Sequence, residues 1–360
     1  MKILDIPPEL LLSILDLLSL RDLVSFRSTC CQLRNFLNQR FQKIYLEDVK
    51  QLTAIQWAAV HGYAELIELA IANGAKIDNP LREDLRWMKV SEAVSVYGNK
   101  VYEILDWANR GAESYAKNSI IRTPLFLAAC FGQVKAIEVL LKQGASMQCF
   151  GEMMTPAHIS AGRGDVDCLR AFIQARFNIN TRGTNDQTIL HVATFSGIKM
   201  IKYIVQLKGG ANLVNARDNK GFTPLSYLAT IASYDRPQRR TRKMVEVLLQ
   251  HGADIHAADN SGYMAAHYFA TRGWIGCLRA LINGGFDLYS RGAHGETILH
   301  CAVAGGKVIT EYLLGLDEGK VIIDIENDQG KTPLQFASEL SNKGPVLELL
   351  MHYSTTCSSH

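Results

Sequence analysis

Ten histidines and eight cysteines are the residues of this chain with the widest chemical reach. Four of the histidines, His158, His191, His267 and His300, fill the last place of a recurring four-residue phrase, as in Thr188-Ile189-Leu190-His191 and Thr297-Ile298-Leu299-His300. An imidazole so placed is expected to hydrogen-bond the turn backbone of its own or the next unit rather than to hold a metal. A zinc site needs a ligand framework, and the chain has neither Cys-x-x-Cys nor His-Glu-x-x-His, so no metal and no cofactor are expected. His300-Cys301 sets an imidazole beside a thiol, but Cys301 falls in a core slot, where a thiol is inert. Gly162-Arg163-Gly164 lacks the strand, spacing and acidic follower of a nucleotide loop. Arg163-Gly164-Asp165 is an adhesion tripeptide on paper, and is read as chance. No catalytic residue emerges, so the chain reads as a binding protein and not an enzyme.

One charge cluster has two readings. The stretch from Asp235 to Lys243 carries Arg236, Arg239, Arg240, Arg242 and Lys243. It is either a solvated loop and helix start or a site that pairs with an acidic or phosphorylated segment. Arginine forks take phosphate bidentately, with bonds roughly twice as strong as neutral ones.

The elements that position these residues follow from a period. Thr123-Pro124-Leu125, Thr155-Pro156-Ala157-His158, Thr223-Pro224-Leu225 and Thr332-Pro333-Leu334 are variants of the same phrase, and Thr155 to Thr188 is a step of 33 residues. A second phrase closes the units, as in Gln143-Gly144-Ala145, Gly209-Gly210-Ala211 and His251-Gly252-Ala253. A fixed period of this size means stacked supersecondary units rather than one globular core. Thr suits a helix start and Pro the first helical turn, where its missing N–H goes unneeded. Small residues such as Ala128-Ala129 and Ala193 let inner helices approach closely. Gly62, Gly132, Gly164, Gly197, Gly273 and Gly306 are expected to end the first helices in a left-handed conformation. Apolar runs such as Val139-Leu140-Leu141 and Val247-Leu248-Leu249 place the second helices on the core.

Period and phrase together resemble the ankyrin repeat, a β-turn followed by two antiparallel helices. The resemblance covers 51–353 and about nine units, opening at Thr53, in a worn unit at 84–117, and at Thr123, Thr155, Thr188, Thr223, Met264, Thr297 and Thr332. Insertions fall near 233–242 and 316–323, and 354–360 reads as a flexible tail. Such stacks imply a concave groove lined by turn tips and by the last exposed positions of the inner helices. On that lining Phe131, Arg163, Phe195 and Arg272 are the types that carry binding energy. Trp274, just past a helix end, is counted with them. With Arg236, Arg239 and Arg240 they form the expected substrate-binding set.

The first residues break the period. Asp5 caps a helix through Pro7-Pro8-Glu9-Leu10-Leu11, with Leu11, Ile14, Leu15 and Leu18 on one apolar face. Ser19-Leu20-Arg21-Asp22 reads as a capping box for a second helix, and Cys30-Cys31-Gln32-Leu33 begins a third. A segment of about forty residues cannot bury this much leucine by itself. It resembles the F-box, with Pro7, Glu9, Leu10, Leu11, Ile14, Leu18, Leu20, Asp22, Leu23 and Cys30 on the motif and Ile6, Thr29 and Leu33 departing from it. The resemblance implies an F-box-like domain at 1–46 whose Pro7, Glu9, Leu10, Leu11, Ile14, Leu18, Leu23 and Cys30 dock on a Skp-type adaptor and, through it, a cullin. The array would then capture an unknown protein substrate for an SCF-type ubiquitin ligase. The alternative is an ankyrin scaffold or inhibitor without a ubiquitin link, its N-terminal helices serving as an end cap.

The expected fold class is therefore all-α: an ankyrin-repeat solenoid of helix pairs and β-turns behind a small three-helix F-box-like domain. A net charge of +3 lacks the basic face that nucleic-acid binding needs. No apolar run approaches the ~20 residues that span a bilayer. Asp5, Pro7, Pro8 and Glu9 interrupt the only stretch that could serve as a signal peptide. Scattered cysteines fit free thiols in the cytoplasm or nucleus. If the basic cluster binds substrate, changing Arg236, Arg239, Arg240 and Arg242 together to Ala weakens substrate capture and leaves adaptor binding intact. Equal capture by both forms rejects that role.

Overall fold

A computed structural model describes residues 54–72, 75–78, 123–148, 154–231, 238–340 and 344–357. The 1–46 segment with its adaptor-docking residues, the worn unit at 84–117 and Arg236 lie outside the described residues. The described residues form two compact units. The first holds helices α1 (Ala54–His61), α2 (Ala64–Ala72), α3 (Pro124–Phe131) and α4 (Val134–Lys142). The second holds α5 (Pro156–Arg163), α6 (Val166–Gln174), α7 (Ile189–Ser196), α8 (Ile198–Gln206), α9 (Pro224–Ile231), α10 (Gln238–Gln250), α11 (Ala265–Thr271), α12 (Ile275–Asn283), α13 (Ile298–Gly305), α14 (Lys307–Leu314), α15 (Pro333–Glu339) and α16 (Gly344–Cys357). No strand occurs among the described residues; Arg291 and Thr297 form an isolated bridge.

Within each unit the helices alternate between two layers. In the second unit α5, α7, α9, α11, α13 and α15 pack each on the next as an inner row, and α6, α8, α10 and α12 form an outer row. In the first unit α1 packs on α3, and α2 on α4. The inner helices are sandwiched on several sides. Every residue from Pro124 to Cys130 of α3 is buried, and so is every residue from Ile189 to Thr194 of α7. The outer helices bury one stripe only, such as Met200, Ile201, Ile204 and Val205 of α8. That difference follows from sequence: inner helices such as Pro124–Phe131 and Ile189–Ser196 combine apolar and small residues with no Asp, Glu, Lys or Arg, while outer ones alternate apolar and charged residues at helical spacing.

The recurring phrase works as a helix start. The side chains of Thr123, Thr155, Thr188 and Thr332 accept from the backbone N–H three residues on. The histidine adds a second tie. Its Nδ1 accepts from the backbone N–H of Thr188, Met264 and Thr297, at 3.2 Å in each of the three helices. With Nδ1 accepting, Nε2 carries the proton. In His191 that Nε2–H donates to the Phe222 carbonyl at 2.9 Å, and in His300 to the Lys331 carbonyl at 3.0 Å. Both carbonyls belong to the turn of the following repeat, so the ring joins neighbours.

The turns are tied in the same way. Asp218 Oδ1 accepts the N–H groups of Lys220 and Phe222, Asp259 Oδ1 those of Ser261 and Tyr263, and Asn327 Oδ1 those of Gln329 and Lys331. Each tip also reaches a neighbouring one: Asn219 N–H donates to the Asn185 carbonyl, Asn260 N–H to Lys220, and Asp328 N–H to His294, all within 2.9–3.0 Å.

Two sequence expectations are refined. Gly132 and Gly164 end α3 and α5 in the left-handed region. Gly197 and Gly306 instead combine φ of 123° and 101° with ψ near 180°, a conformation essentially closed to side-chain-bearing residues. The chain thereby enters the outer helix directly, without the extra residue used at Gly164-Asp165. The 233–242 stretch is not all insertion: Gln238 onward is already helix, so α10 runs 13 residues against nine for α8. In the other insertion two short 3-10 turns, Glu318–Lys320 and Ile322–Asp324, bury Ile322 and Ile323.

Close packing of the inner row yields a first prediction. A Cβ on Gly305 would stand 2.0 Å from the Ala270 carbonyl oxygen of the neighbouring α11. At Gly252 it would meet nothing within 4 Å, although φ is +82°. Gly305→Ala should cost about 3 kcal/mol or more through backbone displacement, and Gly252→Ala about 1–2 kcal/mol of left-handed strain. Thermal or urea unfolding that ranks them in the opposite order contradicts the inner-row packing.

The histidines yield a second. Burial pushes His158, His191 and His267 down to about 4 from 6.5, and lowers His300 in the same direction. The folded state therefore holds them neutral where the unfolded chain takes up protons. The stabilisation is complete above pH 6.5 and drains away as pH falls, towards 4 and by up to about 3 kcal/mol per ring for His158, His191 and His267. Gln335 occupies the same slot in α15 and accepts from Thr332 N–H at 2.9 Å, so glutamine keeps the cap without titrating. His191→Gln with His300→Gln should flatten the decline in melting temperature between pH 6.5 and 4. An unchanged slope contradicts the linkage.

Candidate partner-binding face

Phe131 belongs to the first unit. It is half-buried against Val60 and Leu127, whose inner helices lie side by side. There the Gln133 side-chain amide donates to the Val60 carbonyl at 2.8 Å, closing the C-terminal end of α1.

The other described candidates lie in the second unit, and most of their guanidinium groups already have work. Arg163 is half-buried and pairs with Asp165 at 2.6 Å. Arg240 Nη2 donates to the Ser196 carbonyl at the end of α7, and Arg272 Nη2 to the Thr230 carbonyl in the last turn of α9. Each arginine thus closes the end of the inner helix one repeat earlier, where unpaired carbonyls and the helix dipole favour a cation. Arg242 pairs with Glu246 at 2.7 Å along α10, and Arg239 is exposed on the same helix. Sequence could not reveal these bonds, because the partners lie 42 and 44 residues away.

Trp274 does not join an open face. It is 5% exposed, and its indole lies nearly parallel to Phe269 at 6.1 Å between ring centroids. Gly273 has φ of +70°, and Trp274 N–H donates back to the Phe269 carbonyl of α11 at 2.9 Å. Burying so large a ring is strongly favourable. The Arg272 guanidinium rests 6.0 Å from its centroid.

Phe195 does stand at a half-exposed place, and it opens a strip that residue spacing had not disclosed. Its ring meets Tyr227 edge-on at 5.9 Å. Tyr227 touches Phe222, Phe222 touches Tyr268, and Tyr268 touches Tyr263, with centroids 6.5, 5.8 and 5.7 Å apart. Tyr227 is buried, while Phe222, Tyr263 and Tyr268 are half-buried. The strip crosses three consecutive repeats. Its sequence signal was there: an aromatic just before the phrase at Phe222 and Tyr263, and another four residues into it at Tyr227 and Tyr268.

Two carboxylates hold the strip. Tyr263 Oη donates to Glu296 Oε2 at 2.8 Å, and Tyr268 Oη donates to Asp259 Oδ2. Burial and these neighbouring carboxylates keep both phenols above their ordinary range. Glu296 also faces the Cys301 thiol at 3.9 Å, and burial pushes that thiol up to about 12. Cys277 is likewise raised to about 12 by burial. Neither is a nucleophile near neutral pH. Among the described residues no group of three or more His, Cys, Asp or Glu is placed to hold a metal ion, and no helix is long and apolar enough to cross a membrane. What this arrangement can do is present rings, fixed carboxylates and helix ends to another molecule.

Comparison with known proteins agrees with that geometry. Residues 3–43 match the F-box domain profile. The B-cell lymphoma 3 protein homolog of Mus musculus is 27% identical over 221 residues, covering 60% of this chain and 47% of that protein. E3 ubiquitin-protein ligase KEG of Arabidopsis thaliana is 24% identical over 256 residues, covering 60% of this chain and 16% of that protein. The chain thus spans less than half the length of these curated relatives. A crystal structure of the ankyrin repeat domain of Bcl-3, described as a unique member of the IkappaB protein family, shares the fold at a TM-score of 0.50 and 23% identity, covering 73% of this chain and 99% of that one. The profile for ankyrin repeats in three copies matches at 125–215, 157–259 and 231–320, more than half of the sequence, and the chain belongs to the ankyrin-repeat family.

Proposed function

We propose that this protein is a substrate-recognition subunit of an SCF-type ubiquitin ligase. The observation that carries the reading is the F-box match at residues 3–43 on a chain that also matches ankyrin repeats between residues 125 and 320. The F-box segment, taken as 1–46, docks on a Skp-type adaptor and through it a cullin. Pro7, Glu9, Leu10, Leu11, Ile14, Leu18, Leu23 and Cys30 supply the contact. The array, taken as about nine units over 51–353, binds the target protein. The residues offered for that contact are Arg163, Phe195, Arg239, Arg240 and Arg272 of the second unit, with the Phe222–Tyr268 strip, and separately Phe131 of the first. The site of action is the cytoplasm, the nucleus or both.

The mechanism is proximity. No side chain of this protein moves a proton or forms a covalent bond. The protein holds target lysines beside a charged ubiquitin-conjugating enzyme, which makes transfer effectively intramolecular. A specific target complex buries on the order of 1,200–2,000 Å². That is within reach of inner helices and turns spread over many repeats.

The second reading is a scaffold or inhibitor with no ubiquitin link, for which the ankyrin repeats matched between 125 and 320 suffice without the F-box. The two readings separate on one experiment. Capture of purified Skp-type adaptor by the full chain should be lost by more than about a hundredfold in Leu11→Asp and in Leu18→Asp, because an unpaired charge in an apolar contact is costly. The melting temperature of the array should not change. Collapse of the array in the same variants, or no capture by the unaltered chain, rejects adaptor docking and supports the end cap; capture that survives both substitutions rejects Leu11 and Leu18 as the contact.

A further inference from the structure

The strip formed by Phe222, Tyr227, Tyr263 and Tyr268 carries negative charge that the described residues leave uncompensated. Asp259 accepts two backbone N–H groups and the Tyr268 hydroxyl, and Glu296 accepts the Tyr263 hydroxyl, all from uncharged donors. Neither carboxylate is in an ion pair among the described residues, whose carboxylates at Asp165, Asp167, Asp186, Glu246 and Glu339 each have one. The cations closest in chain position are committed elsewhere: Arg291 donates to the Glu326 carbonyl and Arg272 to the Thr230 carbonyl. Glu296 stays half-buried rather than sunk, and so do Phe222, Tyr263 and Tyr268. The result is a face of π-surfaces edged by fixed negative charge.

That combination selects its occupant. An apolar side chain would bury Glu296 without neutralising it, and an acidic one would be repelled. A cation resting on the rings gains from their quadrupoles and from the carboxylate together. A guanidinium fits better than an ammonium, because it is planar, weakly hydrated, stacks on aromatic faces and can grip a carboxylate with a fork of donors.

We propose that the Phe222–Tyr263–Tyr268–Glu296 strip receives an arginine side chain from an extended segment of the protein bound by the array. This rests on the reading of the array as the target-binding part, but on nothing in the F-box segment. Its failure and that of adaptor docking are therefore read separately.

The test uses the full-length protein and three Gly/Ser peptides that differ in one respect: spaced arginines, lysines, or citrullines. Fluorescence anisotropy reports binding. The arginine peptide should bind at least about tenfold more tightly than the citrulline peptide, and more tightly than the lysine peptide. Glu296→Gln, which keeps an acceptor for Tyr263, should remove most of the advantage over citrulline while the melting curve stays put. Should that variant melt early, competition on the wild-type protein by arginine amide against lysine amide reads the same preference. Equal binding of the arginine and citrulline peptides, or an undiminished arginine preference in folded Glu296→Gln, overturns the proposal. A lysine peptide that binds as well as arginine overturns the assignment of a guanidinium.

Discussion

In His191 and His300 one buried ring holds two repeats at once. Its Nδ1 accepts from the start of its own inner helix, and its Nε2–H donates to the turn of the next. Where neighbours meet only each other, the surface has no central core to enforce its shape. Regularity must be renewed at every junction. The imidazole does this at the base of the turn, and the turn tips do it again through Asn219, Asn260 and Asp328. Each bond nets only about 1 kcal/mol. Repetition and the absence of competing water make the sum decisive. Because the ring must be neutral to accept at Nδ1, the same device makes the stack sensitive to acid.

The proposed binding face is a by-product of these junctions. Phe222 and Tyr263 each sit one residue before the phrase that starts an inner helix, so the turn that feeds the cap also presents a ring. Tyr227 and Tyr268 sit one residue after the fourth slot, where each meets the ring of its own turn and a ring of the preceding repeat. Arg240 and Arg272 work at the opposite end, closing the helix one repeat earlier. Residues that at first look like free binding groups are therefore partly structural, and the proposed partner would meet them already oriented. Preorganised groups lose less entropy when they are engaged.

Sequence disclosed what is local and periodic. Thr155 and Thr188 as caps, Gly132 and Gly164 as helix ends, and the buried fate of His158, His191, His267 and His300 all follow from contacts within four residues, repeated often enough to be read as a pattern. What escaped depends on contacts between distant positions. Nothing near Arg240 in sequence points to Ser196, and nothing near Tyr263 points to Glu296. Trp274 misled because a large aromatic just past a helix end is equally consistent with either side of the chain. The backbone angle at Gly273 decides, and sequence does not state it. Gly197 and Gly306 were rightly seen to need glycine, but for a ψ near 180° that a helix-end rule does not anticipate.

The proposed division of labour makes the head the adaptor's handle and the array the target's. Hydrogen–deuterium exchange on the full-length protein, with and without purified Skp-type adaptor, tests it most directly. Exchange should slow within residues 3–43 and stay unchanged across the inner helices from Pro124 to Glu339. No slowing in 3–43, or slowing spread along the inner helices, would contradict the account.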